Sequence, residues 1–318
     1  MRTLWKTLLL VAVTAGLGYY ALKVDTKKPA GEDDEKRPQL FDAKPEAFTK
    51  IAVVRAKGRL ALERADSNAD WRLTEPKAFP ANPDEARTLL STFENFRAER
   101  ELDVPATELS AFGLDPAKLE VEAKGATLTA AFKAGDKDPS DTYRYLLKGG
   151  KVYLASAYLF DRFEKEADEY RGRDLLAFDR AAIEKILYRG KGRRVGLVKE
   201  GEAWVLKDPA KPWRIAPSAV DTFFNQVTNL KVRTFVDDAP KSLSPYGLKA
   251  GDQELVLTAK GGAEYKGWFG SKMKDKDETY FKTGAGPGVY TVTSTWPENI
   301  FKDPMEFREK APFDVSGS

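Results

Sequence analysis

Neither cysteine nor histidine occurs anywhere in this chain of 318 residues, and methionine occurs 3 times. The two absences remove disulfides, thiolate nucleophiles, imidazole bases and the usual zinc and haem ligands. Any catalysis would fall to carboxylates, Lys, Tyr, Ser or Thr. A chain without cysteine suits an oxidising compartment but does not require one. An excess of either charge is missing as well: 52 basic residues stand against 49 acidic ones, for a net +3. That balance gives no bulk attraction to nucleic acid or acidic polymers, so nucleic acid is not an expected partner. What is present is 42% hydrophobic and 32% charged residues. This composition supports packed cores and excludes a mainly membrane-embedded protein. The length suits two domains of ordinary size.

The N-terminus, "MRTLWKTLLLVAVTAGLGYYALKVDTKK", carries Arg2 and Lys6, then an uncharged run from Thr7 to Leu22 closed by Lys23. A spanning helix needs about 20 apolar residues. Leu4 and Trp5 extend the run, Lys6 and Lys23 can snorkel, and Tyr19 and Tyr20 fall where an aromatic belt would lie. The expectation is an uncleaved signal-anchor over residues 1–23, held in the inner membrane through residues 4–22. A cleaved signal peptide is the alternative; Ala12, Ala15, Gly16 and Gly18 are small, but the bulky "LGYYALK" makes a poor cleavage region. A short tail before a large body favours export of that body, here to the periplasm. Residues 24–44, rich in Lys, Glu, Asp and Pro, read as a flexible charged linker.

Beyond the linker the chain repeats itself. "WRLTEP" (71–76) recurs as "WVLKDP" (204–209), with Trp71 and Trp204 133 residues apart. Before each lies an alternating pair of strands around a turn, Lys57-Gly58 and Lys191-Gly192. After each comes a proline-led amphipathic helix, "PDEARTLLSTFENF" (83–96) and "PSAVDTFFNQVTNL" (217–230). Then "AFGL" (111–114) answers "PYGL" (245–248), where the glycine is expected to close a helical turn at positive φ. Two hairpins follow in each half, setting Tyr143 against Tyr280, Tyr153 against Tyr290 and finally Arg171 against Arg308, each 137 residues apart. A period near ~135 marks a duplicated domain, since solenoid repeats run at about 20–50 residues. The tryptophan is expected at the end of a strand, packed under the following helix. The proline, unable to donate to a ladder, ends that strand.

The expected fold is α+β: two similar domains in tandem, residues 45–180 and 181–312, with a tail at 313–318. Each is an antiparallel sheet of hairpins with one main packed helix. The order W-x-L-x-[ED]-P, helix, [FY]-G-L, two hairpins and a closing [YF]-R resembles the DUF4340 family of bacterial envelope proteins, in two copies over about residues 45–312. The resemblance implies an accessory role in the envelope, beside transporter components of the ABC type akin to those of gliding motility. It carries no reaction and no active-site motif.

Candidate chemistry is sparse. The loop "GDKDPSDT" (135–142) lacks the Gly and Glu of a calcium-binding loop and reads as a solvated turn. The glycine-rich "GAGPGVY" (284–290) lacks the Lys-Ser/Thr of a phosphate loop. The acids of "FEKEADEY" (163–170) suit a solvated helical face. Two binding candidates remain. Arg189, Lys191, Arg193 and Arg194 form the densest basic patch, suited to lipid headgroups or an acidic partner. Trp213, Tyr265, Trp268 and Trp296 are enriched in the second copy, with no aromatic seen opposite them in the first. They would bind a glycan, lipid or peptide if they share one concavity. The reading as a whole is a non-enzymatic envelope scaffold without cofactors, partnering a membrane complex of the ABC-transporter type through sheet edges or a groove between domains. A binding module built on the aromatics is the alternative.

Overall fold

A computed structural model describes residues 37–249 and 252–310. The expected anchor, most of the linker and the tail lie outside the described residues; among those described, no helix is long and apolar enough to cross a membrane. The chain divides into two compact units between Gly172 and Arg173. The sequence placed this border at 180/181, but Leu175 and Leu176 are buried in the second core.

In the first unit, β1 (Phe48–Arg55), β2 (Gly58–Glu63), β3 (Arg72–Glu75) and β4 (Phe79–Pro80) lead to helix α1 (Pro83–Asn95) and β5 (Ala98–Leu102). After a 3-10 turn at Ala106–Phe112 come β6 (Leu119–Gly125), β7 (Thr129–Lys137), β8 (Tyr143–Lys148), β9 (Lys151–Ser156) and a single α-turn, α2 (Asp161–Glu164). The nine strands form one sheet in the order β4-β3-β2-β1-β6-β7-β8-β9-β5, antiparallel throughout.

The second unit holds β10 (Ile183–Gly190), β11 (Arg193–Glu200), β12 (Ala203–Asp208), α3 (Pro217–Thr228), β13 (Thr234–Asp237), β14 (Glu254–Ala259), β15 (Glu264–Lys272), β16 (Glu278–Thr283), β17 (Val289–Thr293) and α4 (Trp296–Ile300). Its sheet runs β12-β11-β10-β14-β15-β16-β17-β13, the order of the first unit without β4.

The likeness reaches single residues. The β1–β6 pairing slips between Phe48 and Lys50, and the β10–β14 pairing between Ile183 and Lys185. The slip between Ala134 and Lys137 recurs between Phe269 and Lys272. Each helix turns one stripe inward: Ala86, Leu89, Leu90 and Phe93 in α1, Val220, Phe223, Phe224 and Val227 in α3. Phe93 sits among the rings of Phe41, Phe48, Phe96, Phe132 and Phe163, with centroids 5.1–6.4 Å away. The two cores are filled differently. Val121 of β6 faces Phe132, and next on that face Ala134 meets Leu146. In the second unit Leu255 faces Gly267, and Phe269 meets Phe281. The large residue has moved two places along the strand, and a Cβ at Gly267 would lie 2.6 Å from the Phe281 ring.

The recurring motifs acquire causes. Phe112 packs edge-on against Tyr145 at 4.8 Å and Tyr246 against Tyr280 at 5.1 Å. Tyr280 therefore answers Tyr145, not Tyr143; the longer β16–β17 connection adds the two residues that displaced the reading. Gly113 and Gly247 close their 3-10 turns at φ 66° and 64°, and Leu114 and Leu248 after them are buried. The aromatic's carbonyl lies over a bulge glycine, Gly135 or Gly270, where a Cβ would collide with it. Trp71 stands just before β3 and is 7% exposed, with the Arg64 guanidinium 4.7 Å above its ring. Trp204 lies in β12, 5.9 Å from Phe224 of α3. Both tryptophans thus open their strand, and the following acid closes it with an ion pair, Arg59–Glu75 at 3.4 Å and Arg194–Asp208.

The stretch 163–170 is not one solvated helix. It breaks after α2 and resumes as a 3-10 turn over Ala167–Tyr170, because Phe163 and Tyr170 are both buried.

Candidate functional site

The basic patch is engaged in holding the second unit together. Lys191 Nζ donates to Glu298 at 3.0 Å, as Lys57 at the first hairpin tip does to Glu166. That bond is the main reason the Glu166 carboxyl is held below the usual range. Arg194 pairs with Asp208 as Arg59 does with Glu75.

Arg193 repeats Arg55 from the opposite strand. Arg55 stands across from Gly58 and donates to the carbonyls of Phe163, at 3.2 Å, and Lys165. In the second hairpin Gly190 stands across from Arg193, and Arg193 donates to the Phe301 carbonyl at 2.7 Å. Arg189 alone has no basic counterpart, since Val54 holds its place; it donates to Glu254 at 2.8 Å. The four cations are exposed, so the three ion pairs they form contribute little each. They still point to fastening, because three of the four have partners of the same kind in the first unit.

The four aromatics do not converge. Trp213, Tyr265 and Trp296 are half-buried against the second core. Trp268 alternates with the inward-facing Gly267 and Phe269, so it lies on the other face of the sheet, where its Nε1 donates to Glu254 at 3.0 Å. Trp213 also has an aromatic counterpart after all. Arg308 lies 5.9 Å from its ring, and Arg171 lies 3.6 Å from the ring of Phe79. The ladder partners agree, since Arg171 bridges Ala81 and Arg308 bridges Ile215.

The loops behave as turns. Asp138 accepts from the Tyr143 amide at 2.9 Å and the Ser140 hydroxyl at 2.7 Å; the amide first, then the hydroxyl, lower its pKa. Lys282, beside the glycine-rich loop, donates to the carbonyls of Thr283 and Gly286, and burial lowers its pKa. Among the described residues no group of acids is placed to hold a metal.

A cavity of about 820 Å³ opens in the first unit beside the β1–β2 turn. Val54, Ala56, Pro116 and Ala117 supply its apolar wall; Arg55, Lys57, Lys118 and Arg144 supply positive charge, and Glu120 and Glu164 negative charge. A shallower groove of about 490 Å³ adjoins it, sharing Val54 and Glu120. Val54 is 45% exposed, one of few large apolar side chains so open.

Arg144 is buried: its Nε donates to the Gly135 carbonyl at 2.8 Å, one terminal nitrogen binds Glu164 at 2.6 Å, and its guanidinium lies 5.2 Å from the Phe160 ring. The Arg55 Nε is buried without an acceptor. Sequence reading passed over Arg55 and Arg144 and assigned Glu164 to a solvated helical face, because the three are far apart in the chain and no motif joins them.

The profile of a family described as a domain of unknown function (DUF4340) matches residues 71–216 and 204–318, each match opening on the tryptophan of the recurring hexapeptide. The chain belongs to the DUF4340 family. No curated protein and no solved structure matches it.

Two DUF4340 units in one chain allow a direct comparison of what the fold requires. By strand register, Val54, Lys133 and Leu147 on the outer face of the first unit correspond to Arg189, Trp268 and Lys282 in the second. Arg144, two places before Leu146, corresponds to Thr279, two before Phe281. The buried threonine shows that the DUF4340 sheet closes without a guanidinium at that point. Such a comparison of the two halves, position by position, is the signal that would have singled out Arg144.

Proposed function

We propose that this DUF4340 protein is a non-catalytic accessory of the bacterial envelope. Residues 4–22 anchor it in the inner membrane, and its two units stand in the periplasm as a scaffold for a membrane complex of the ABC-transporter type. What supports the reading is the use made of the charged side chains. Cations and acids recur in the same fastening pairs in both units, Lys57–Glu166 with Lys191–Glu298 and Arg59–Glu75 with Arg194–Asp208. The buried hydroxyls of Tyr170 and Tyr188 donate to main-chain carbonyls, Arg162 and Lys302, and burial pushes both pKa values up, which suits anchoring and not nucleophilic attack.

Photocrosslinking in intact membranes tests this, with a photoreactive residue at Val54 or at Trp268 in the full chain. Recovery of one integral membrane protein at either position is expected. Recovery of no stable envelope partner from either position overturns the reading. The second reading, an envelope binding module, rests on the first-unit cavity and no longer on the second-unit aromatics, since Trp213, Tyr265 and Trp296 pack against the core and Trp268 lies on the other face of the sheet.

A further inference from the structure

We propose that the cavity of the first unit is a binding site for a small organic anion, a phosphate ester or carboxylate with an apolar arm, recognised through Arg144. Three observations carry this. The cavity, about 820 Å³, is of the size that takes small ligands. Its charged lining is dominated by arginine and lysine, while Val54 and Pro116 offer an apolar wall for the arm. Arg144 also keeps an unused donor: its second terminal nitrogen has no acceptor among the described residues. Guanidinium groups pair with carboxylate and phosphate oxygens by directed, charge-assisted bonds.

The second unit argues against a purely structural role. Glu164 is exposed, so its pairing with Arg144 stabilises the fold little, and Thr279 fills the place of Arg144 in an otherwise matching sheet. The fold does not call for the guanidinium; a ligand does. Glu164 occupies one end of Arg144, so an incoming oxyanion competes with that carboxylate.

The inference goes beyond the accessory reading, and failure of crosslinking leaves it untouched. The test uses the full chain in detergent, titrated with hexyl phosphate, hexanoate and hexanol, and separately with vesicles of phosphatidylglycerol or phosphatidylcholine. Saturable binding of either soluble anion, and not of the alcohol, is expected. Arg144→Thr, which copies the second unit, weakens it by at least about tenfold. Glu164→Gln tightens it by a few-fold, an opposite change that a merely structural pair would not give. Circular dichroism and thermal melting of each variant identify any loss of fold. Binding confined to phosphatidylglycerol vesicles, with the same loss in Arg144→Thr, assigns the anion to a lipid headgroup. Binding that Arg144→Thr and Glu164→Gln leave unchanged, or no binding to any anionic probe, overturns the proposal.

Discussion

At Gly135 and Gly270 a bulged strand passes directly beneath the carbonyl of an aromatic residue, leaving no volume for a side chain. Either Gly→Ala change forces the [FY]-G-L turn off the sheet. The expected cost is about 1–3 kcal/mol, the usual range for overpacking, read as a lower denaturant midpoint. Asp138 supplies a pH signature. Its folded pKa is depressed, first by the Tyr143 amide. The stabilisation is therefore present above the ordinary carboxylate pKa and lost as the pH falls through the folded value. Asp138→Asn is expected to melt lower than wild type at neutral pH, with the gap closing below about pH 4. A constant gap would show that the turn does not depend on the charge.

The two long helices begin differently, although each starts on proline. Asn82 caps α1 by accepting from the amides of Asp84, at 3.0 Å, and Glu85, whereas Ala216 before α3 has no side chain to offer. Asn82→Ala should cost about 1 kcal/mol, and Ala216→Asn should return a similar amount, both measurable by chemical denaturation. Elements of this kind were legible in the sequence. Proline-led helices, hairpins around Lys-Gly turns and the positive-φ glycines follow from local chemistry, and the structure keeps them. Less legible was what depends on distant partners. Tyr280 was matched two residues out of register because a loop lengthened ahead of Tyr290. The basic patch looked available because two of its acceptors, Glu298 for Lys191 and the Phe301 carbonyl for Arg193, come over a hundred residues later. Arg144 drew no attention because its surroundings are assembled from three separate segments.

Across the whole chain, each unit has its own core, and the two cores have no residue in common. Phe93→Ala, which empties the centre of the first core, is expected to cost about 3–5 kcal/mol. Hydrogen exchange should show lost protection in residues 37–172, with residues 173–310 unaffected. Each unit also buries one tyrosine hydroxyl, Tyr170 and Tyr188, with its pKa raised chiefly by desolvation. A raised folded pKa gives stability that is intact below the unfolded value, near 10, and is lost as the pH rises beyond it. Both units should therefore weaken in alkali. The double change Tyr170→Phe and Tyr188→Phe is expected to shift the onset of alkaline melting upward, while lowering stability at neutral pH by about 1 kcal/mol per lost hydrogen bond.

The exchange of Arg55 and Gly58 for Gly190 and Arg193 has a consequence for tracing kinship. A comparison made one position at a time counts two changes there, yet the guanidinium still reaches the same turn. Ancestry among such sheets is better sought in facing couples of residues, because a couple can trade members while the tie between strands and closing segment endures.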